Sequence, residues 1–275
     1  MSLETRVGLL LRAGRNVALG ANLAALPLVR RPRELLRYAT EALFQRQLEK
    51  PGGLPRTPVA DFFGLSDGEA VLGNLDGYTW LDDESPPFVI DLLSLILLCR
   101  ALRPETILEI GTFVGYTALH MALNTPADTR VFTLDLPPQN RDTSLRTTGT
   151  DQKLIGKDIG RAVFEGRPAG AKVTRLYGDS ASFDFSPWHG AVDLFFVDGA
   201  HSYDYVRSDT EKALMCMRPG GVVVWHDYGR IEQDGVTRWL HEFARGRDVR
   251  AVPNGSIAYW RVPETAERSG VGRPA

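Results

Sequence analysis

Five short, largely apolar segments alternate with helix-like segments between residues 106 and 227, and this alternation restricts the fold more than any other feature of the chain. Strands with apolar residues on both faces are typical of a parallel sheet that is covered by helices on both sides. The pattern therefore predicts an α/β fold with a Rossmann-like, seven-stranded, mostly parallel sheet and helices on both faces. The predicted strands are 106–110, 130–135, 171–179, 191–198, 220–227, 248–252 and 256–262, and the predicted helices are 88–103, 115–124, 203–217 and 235–245.

The regular pattern covers residues 88–262, which we predict to be one domain, and the tail 263–275 is predicted to be disordered. Residues 136–171 are longer than a βα connection with one helix requires. Long insertions at the ligand edge of such a sheet are usually functional, so we expect a lid, with a helix that has a solvated face as the alternative.

Residues 1–87 precede the domain. The first 50 carry nine Lys or Arg and four Asp or Glu, with apolar residues at helical spacing, and prolines at 27 and 32 divide them. They predict a helical extension that caps the domain and could mediate a homo-oligomer, with a membrane-surface or partner-docking helix as the alternative. The segment 51–87 is rich in Gly, Pro and Asp, and its part around Tyr78, Trp80 and Asp82 is a second lid candidate.

Composition excludes several classes. The 275 residues are 43% hydrophobic and 24% charged, as in an ordinary globular protein, and the net charge of −2 gives no attraction to nucleic acid. The interrupted apolar runs of the first 30 residues lead us to expect neither a signal peptide nor a transmembrane segment. Cys99 and Cys216 lie in apolar surroundings without metal spacing, so we expect buried thiols and a cytoplasmic protein.

Polar groups stand where each of the five strands ends. The strands end at Glu109, at Asp135, at Gly178, Asp179 and Ser180, at Asp198, and at His226 and Asp227. Ligands of open α/β sheets bind outside the carboxyl ends of the strands, so these groups predict one site.

The segment "LEIGTFVGYTAL" predicts the ligand. Glu109, Gly111 and Gly115 form the pattern Glu-x-Gly-x-x-x-Gly, which differs from the G-x-G-x-x-G turn that binds a pyrophosphate at a helix N-terminus. A carboxylate at this turn would repel a phosphate, whereas Asp135 is placed to bind ribose hydroxyls. S-adenosylmethionine fits, because it carries a ribose, an ammonium group and a sulfonium but no phosphate.

The successive segments "LEIGTFVGYTALHMA", "VFTLDLP", "GDSASFDF" and "VDLFFVDGAHSYDYVRSD", followed by "GGVVVWHDY", resemble the motifs of class I S-adenosylmethionine-dependent methyltransferases. The sequence is most similar to bacterial small-molecule enzymes related to the catechol and macrolide-sugar O-methyltransferases. This resemblance covers about residues 88–262 and implies O-methylation of a small-molecule acceptor.

The resemblance also implies roles for single residues. The methionine end of the cofactor would contact Glu109, Gly111, Thr112, Gly115, Tyr116 and Thr117. Asp135 would bind the ribose, the adenine would lie at Gly178, Asp179 and Ser180, and Asp198 would lie below the sulfonium. The alternatives are a core aromatic residue for Tyr116 and a helix cap for Ser180.

In metal-dependent relatives, a divalent cation bound after strands four and five lowers the pKa of the acceptor hydroxyl. Asp198 and Asp227 match that pattern, but His226 departs from it, because Mg²⁺ prefers oxygen ligands. Asp198, His226 and Asp227 are therefore a candidate site for Mg²⁺ or Mn²⁺, and the repulsion expected between two nearby aspartates favours a metal. In the alternative without a metal, His226 or His201 is the catalytic base and Asp198 faces the acceptor. For each histidine, a structural hydrogen-bonding role is a further alternative.

Two other functions remain open at this point. A nicotinamide-dependent oxidoreductase would share the fold but lacks the third-glycine spacing, and a protein that binds S-adenosylmethionine without catalysis would keep the same cofactor residues.

Overall fold

The computed structural model describes residues 53–65, 89–139, 141–155, 157, 160–230 and 233–264. The predictions for residues 1–50, for the loop around Tyr78, Trp80 and Asp82, and for a homo-oligomer through the N-terminal helices lie outside these residues. So does most of the predicted disordered tail.

The described chain alternates between helices and strands as the sequence predicts. The helices are α1 (Val59–Phe63), α2 (Val89–Leu102), α3 (Tyr116–Leu123), α4 (Gly149–Ile155), α5 (Tyr203–Cys216) and α6 (Asp234–Phe243). The strands are β1 (Thr106–Ile110), β2 (Arg130–Asp135), β3 (Val173–Tyr177), β4 (Val192–Val197), β5 (Met217–Trp225), β6 (Arg250–Ala251) and β7 (Ala258–Arg261).

The strands form one seven-stranded sheet in the order β3-β2-β1-β4-β5-β7-β6. β1 to β5 pair in parallel, and β7 runs antiparallel to both β5 and β6. The predicted Rossmann-like, mostly parallel sheet is thus confirmed. The chain reverses its direction of winding between β1 and β4, and such a switch point opens a crevice at the carboxyl ends of the two strands.

Alternate residues of the central strands enter two separate apolar cores. Ile107 of β1 packs with residues of α1, α2 and α3, whereas the next residue, Leu108, packs with residues of α5 and α6. In β4, Leu194 and Phe196 point to the first core, and Phe195 and Val197 to the second. Helices therefore cover both faces of the sheet, which explains why these strands lack the polar–apolar alternation of a half-exposed sheet.

Several strand ends differ from the prediction by a few residues, and two of these differences have a clear local cause. β5 begins at Met217, three residues before the predicted start, because α5 ends at Cys216 and the chain enters the sheet without a loop. β3 is shorter than the predicted 171–179, because residues Pro168–Lys172 form a 3₁₀ helix before it.

Residues 53–65 belong to the same packed unit as the sheet, although the sequence places them before the predicted domain boundary at residue 88. The backbone N–H of Thr57 donates to Ala251 O at 2.9 Å, and the N–H of Ala251 donates to Pro55 O at 2.9 Å. Phe62 of α1 also packs edge-on against Tyr259 of β7. Among the described helices, none is long and apolar enough to cross a membrane.

Candidate functional site

Glu109 lies at the centre of the carboxyl edge of the sheet and is completely buried. Its Oε2 accepts a hydrogen bond of 2.5 Å from the Thr133 hydroxyl, while Oε1 has no hydrogen-bond partner among the described residues. Burial raises the pKa of this carboxyl well above its usual range, and the bond from Thr133 opposes the shift only in part. A buried acceptor without a donor is costly, so Oε1 marks a position that a donor or cation on a ligand can satisfy.

The two glycines of the turn after β1 are required by contacts within the protein. Gly111 has φ +101°, and a Cβ there would lie 1.9 Å from the carbonyl oxygen of Asp198. Gly115 has φ +77°, and its Cβ would lie 2.6 Å from the Phe164 ring of the insertion. Gly111 therefore lets β1 and β4 meet closely, and Gly115 accommodates the insertion.

The predicted site residues that follow Gly111 have different surroundings. Thr112 is buried and its hydroxyl lies 2.7 Å from that of Thr133, so it belongs to the network of Glu109. Tyr116 packs with Leu92 and Ile96, and its ring lies at 42° to that of the buried His120, as the core alternative predicts. Thr117 is partly exposed on the first turn of α3.

Asp135 connects the end of β2 to the glycine turn. Its Oδ2 accepts from the backbone N–H of Phe113 and its Oδ1 from that of Leu136, both at 2.8 Å. Burial raises its pKa, although these two bonds favour the charged form. Asp135, the residue predicted to bind the ribose, thus also holds the backbone of the glycine turn.

Asp179 follows Gly178 after β3 and is held by three donors. Oδ2 accepts from the N–H of Ser144 in the insertion at 2.6 Å, and Oδ1 accepts from the Tyr205 hydroxyl at 2.9 Å and from the N–H of Ala181 at 3.1 Å. Burial would raise its pKa, but these donors outweigh burial and lower it. Ser180 beside it is 8% exposed. Asp179 therefore anchors the insertion at the predicted adenine end of the site.

Asp198, His226 and Asp227 converge at the carboxyl ends of β4 and β5. The Nδ1 atom of His226 lies 3.2 Å from Asp198 Oδ1 and 3.2 Å from Asp227 Oδ1. The Asp198 side chain is 26% exposed, whereas those of His226 and Asp227 are 11% and 5% exposed. Asp198 is thus the member of this group that faces the open side of the site.

The charges of this group depend on one another. Burial disfavours a charged imidazole, but the carboxylates of Asp227 and Asp198 outweigh burial and raise the pKa of His226 well above its usual range. Burial likewise disfavours a charged Asp227, but His226 and His201 outweigh it and keep its pKa well below the usual range. Arg230 adds a further cation, with Nε 3.1 Å from Asp227 Oδ1. The protein itself therefore supplies the positive charge that keeps two nearby aspartates ionised.

His201 lies between two buried carboxylates. Its Nδ1 is 2.5 Å from Oδ1 of Asp151, and its Nε2 is 2.8 Å from Oδ2 of Asp227. Burial opposes the charged ring, but these bonds raise the pKa of His201 to about 10. With both ring nitrogens engaged and the ring protonated at neutral pH, this geometry argues against His201 as the catalytic base.

Described residues of the insertion contact the carboxyl edge of the sheet at several points. Besides the bonds of Ser144 to Asp179 and of Asp151 to His201, the N–H of Val163 donates to the carbonyl of Val114 in the glycine turn at 2.9 Å. The insertion therefore touches the turns that follow β1, β3 and β4. Its role as a lid stays a prediction.

Two site residues were missed by the sequence analysis. Asp151 lies in the insertion, and Asp91 lies in the apolar helix α2, where it is 1% exposed. Asp91 accepts bonds from the backbone of Ser256 and Ile257, and its Oδ2 lies 3.5 Å from Nε2 of His226. An acid within "FVIDLLSLILLC" is costly to bury without partners, and that single charge was the signal for Asp91.

Comparison with known proteins identifies the class. The model of a family described as "Methyltransferase domain" matches residues 108–228, which contain every strand-end group from Glu109 to Asp227. The match covers less than half of the chain, and for this part it confirms the methyltransferase resemblance inferred from the sequence.

Particular relatives are more distant. Caffeoyl-CoA O-methyltransferase 2 of Zea mays is 26% identical over 169 residues, which are 60% of this chain and 58% of the relative. Caffeoyl-CoA O-methyltransferase of Medicago sativa is 25% identical over 132 residues, 47% of each chain. The chain thus spans about half of the length of these curated relatives. A solved protein of Corynebacterium glutamicum is similar with a TM-score of 0.51 and 13% identity over 76% of this chain and 96% of that one, a likeness that bears on the fold alone.

Proposed function

We propose that the protein transfers the methyl group of S-adenosylmethionine to a hydroxyl group of a small-molecule acceptor. The observation that carries this proposal is the convergence of Asp198, His226 and Asp227 at the switch-point edge of a methyltransferase domain. Methyl transfer from a sulfonium requires an in-line approach and removal of the acceptor proton, so polar groups beside the methyl position are the expected machinery. The relatives from Zea mays and Medicago sativa are named for O-methylation of a caffeoyl thioester, which supports a phenolic acceptor.

The residues at β1 and β2 fit this cofactor. The unpartnered Oε1 of Glu109 could accept from the ammonium group of the methionine end, and Asp135 lies at the edge where a ribose would bind. The Glu-x-Gly-x-x-x-Gly turn lacks the third-glycine spacing of a pyrophosphate-binding turn, which disfavours the nicotinamide-dependent alternative. The cofactor contacts of Thr112, Gly115, Thr117, Gly178, Asp179 and Ser180 stay predictions.

Residues at β4 and β5 also fit a divalent cation. Ligand atoms of Asp198, His201 and Asp227 all lie within 4.8 Å of one another, and His226 contacts both aspartates. Because His201 already bridges two carboxylates, Asp198, Asp227 and His226 are the ligands we propose. A cation held there would lower the pKa of an acceptor hydroxyl, and the mixed oxygen and nitrogen donors suit Mn²⁺ better than Mg²⁺.

A route without metal has support of its own. The sequence analysis preferred a metal because two aspartates would repel each other, yet His226, His201 and Arg230 already offset that repulsion. In this route Asp198, the most exposed member, orients the acceptor hydroxyl. His226 would accept its proton only after losing the one that the two aspartates stabilise.

The Asp135→Ala variant tests the cofactor assignment. We expect its affinity for S-adenosylhomocysteine to fall by at least about 10- to 150-fold, because the lost ribose bonds to a charged acceptor are worth about 1.5–3 kcal/mol. The glycine turn also loses the two backbone bonds that Asp135 accepts, which adds to this loss. Isothermal calorimetry measures this loss, and Asp128→Ala, which removes an exposed acid from the turn before β2, is the matched control. Unchanged affinity in a folded Asp135→Ala protein would remove Asp135 from the site.

A turnover assay tests the reaction itself. Purified protein is incubated with S-adenosylmethionine carrying a labelled methyl group and with a panel of catechols, simple phenols and sugars. Label should appear in a methyl ether of at least one acceptor. Tight cofactor binding without transfer to any of them would instead favour a binding protein without catalysis.

A further inference from the structure

Asp151, His201 and Asp227 form a continuous buried chain of hydrogen bonds that begins in the insertion and ends in the site. The side chains of Asp151, His201 and Asp227 are 3%, 9% and 5% exposed. Asp151 and His201 are 50 residues apart in sequence, and the bond between them is one of the shortest side-chain contacts of the molecule at 2.5 Å. We call these three residues the relay.

Asp151 is itself fixed before it reaches His201. Its Oδ2 accepts from the backbone N–H of Thr148 at 2.6 Å, and the Thr148 hydroxyl accepts from the N–H of Asp151 at 3.1 Å. These two reciprocal bonds cap the N-terminus of α4, as in a capping box. The carboxylate also accepts from the backbone N–H of His201, at 3.2 Å to Oδ1. Both the position and the rotation of the imidazole are therefore set by the insertion.

The far end of the relay decides how Asp227 is oriented. Its Oδ2 is bound by His201, which leaves Oδ1 facing His226 and Arg230. Without His201 the carboxylate could rotate and bind these two cations through either oxygen. In this structure Asp227 also has φ +61°, a backbone conformation that is uncommon for a non-glycine residue, so its side chain starts from a constrained position.

We propose that Asp151 is a positioning residue of the methyl-transfer site, which acts through His201 to hold the Asp227 carboxylate in one orientation towards His226. The inference rests on the proposed function and deepens it, because the insertion would then position residues of the site as well as cover it. Groups that orient the residues of a reactive site through hydrogen bonds commonly change activity by about 10- to 100-fold when they are removed.

The first arm of the test measures turnover with S-adenosylmethionine and 3,4-dihydroxybenzoate as a catechol probe. Asp151→Asn should lower kcat by about 10- to 100-fold, while the KM of the probe and the calorimetric affinity for S-adenosylhomocysteine stay within about twofold. His201→Asn should cause a similar loss, and the double variant should lose no more than either single variant, since both break the same chain. Asp151→Glu, which keeps the charge, should recover part of kcat.

The matched control is Lys153→Gly, an exposed position of α4 outside the relay. Glycine weakens a helix by about 1 kcal/mol, so this variant loosens α4 without touching the relay, and its kcat should equal that of the wild type. If kcat fell as far in Lys153→Gly as in Asp151→Asn, the stability of α4 would explain the loss, and Asp151 would not be a positioning residue. Losses that multiply in the double variant would also overturn the proposal.

A second arm does not depend on activity. Two-bond proton–nitrogen NMR spectra report the imidazoles of His201 and His226, and Asp151→Asn should shift both, because His226 senses Asp227. Lys153→Gly should shift neither. If the wild type methylates no acceptor, the proposed function fails, but the NMR measurement still tests the relay. Unshifted His226 signals in a folded Asp151→Asn protein would overturn the positioning role of Asp151. If Asp151→Asn does not fold, His201→Asn provides the same His226 readout.

Discussion

Turnover of the Asp198→Asn variant is expected to fall by at least about 100-fold, while its affinity for S-adenosylhomocysteine stays within about twofold of the wild type. Asp198 is the most exposed acid of the group at β4 and β5, so we propose that it meets both the sulfonium and the acceptor. S-adenosylhomocysteine is the suitable probe of binding, because it lacks the sulfonium charge that Asp198 would contact. Initial rates with the labelled cofactor and calorimetry measure the two quantities.

The control for this variant is Asp234→Asn, which makes the same change at an exposed acid in the first turn of α6. It should retain the turnover of the wild type. Turnover of Asp198→Asn within about threefold of the wild type would contradict both chemical routes at once, since each uses this carboxylate.

Chelation then separates the two routes. A protein that uses a divalent cation should lose activity in EDTA and regain it with Mn²⁺ or Mg²⁺, because its three donors leave coordination positions open for the acceptor. Full activity in metal-free protein would leave proton removal to the protein. In that case His226→Asn should abolish turnover and leave S-adenosylhomocysteine binding intact.

The sequence was sufficient to predict the sheet because the relevant signals are local. Apolar residues in both alternate positions of Val192–Val197 indicate burial on both faces, and the structure places Phe195 and Phe196 in different cores. The residues at the ends of the strands followed from the same reasoning, since parallel strands deliver their carboxyl ends to one edge. Asp198, His226 and Asp227 do meet there.

The connections between these residues could not be predicted, because they join distant parts of the chain. Asp91 binds Ser256 across 165 residues, and Asp151 binds His201 across 50. No periodicity links such pairs, so the sequence left open whether His201 is a base or a structural residue, and it gave Asp151 no role. The sequence pattern predicts where Gly111 and Gly115 stand, but it does not show which atoms require them. Only the structure shows that a side chain there would meet the Asp198 carbonyl or the Phe164 ring.

Asp209 leads to the prediction with the largest expected effect on stability. It lies on α5, is completely buried, and neither carboxyl oxygen makes a well-formed hydrogen bond among the described residues. Burial raises its pKa from 3.8 to about 7, although the neighbouring Ser180 and Lys212 favour the charged form. At about 1.4 kcal/mol per pKa unit, this difference corresponds to roughly 4 kcal/mol of pH-dependent stability.

The sign follows from which state binds more protons. Below about pH 4 the carboxyl is protonated in both the folded and unfolded states, and the full pH-dependent stability is present. Between about pH 4 and pH 7 only the folded state keeps the proton, so the free energy of unfolding falls as the pH rises. Above about pH 7 both states are ionised, the contribution is lost and the slope ends. Asparagine cannot ionise, so Asp209→Asn should remove this slope.

We therefore expect Asp209→Asn to stabilise the protein by up to about 4 kcal/mol at pH 8 and by much less at pH 4.5. Urea unfolding at both pH values measures the difference, and Asp204→Asn, an exposed acid earlier on the same helix, should change the stability little at either pH. Other groups titrate over the same range, but they are common to the wild type and the variant and cancel in the comparison. A variant that loses stability at pH 8 would show that the ionised carboxylate is stabilised in the folded protein, and that burial does not control its charge.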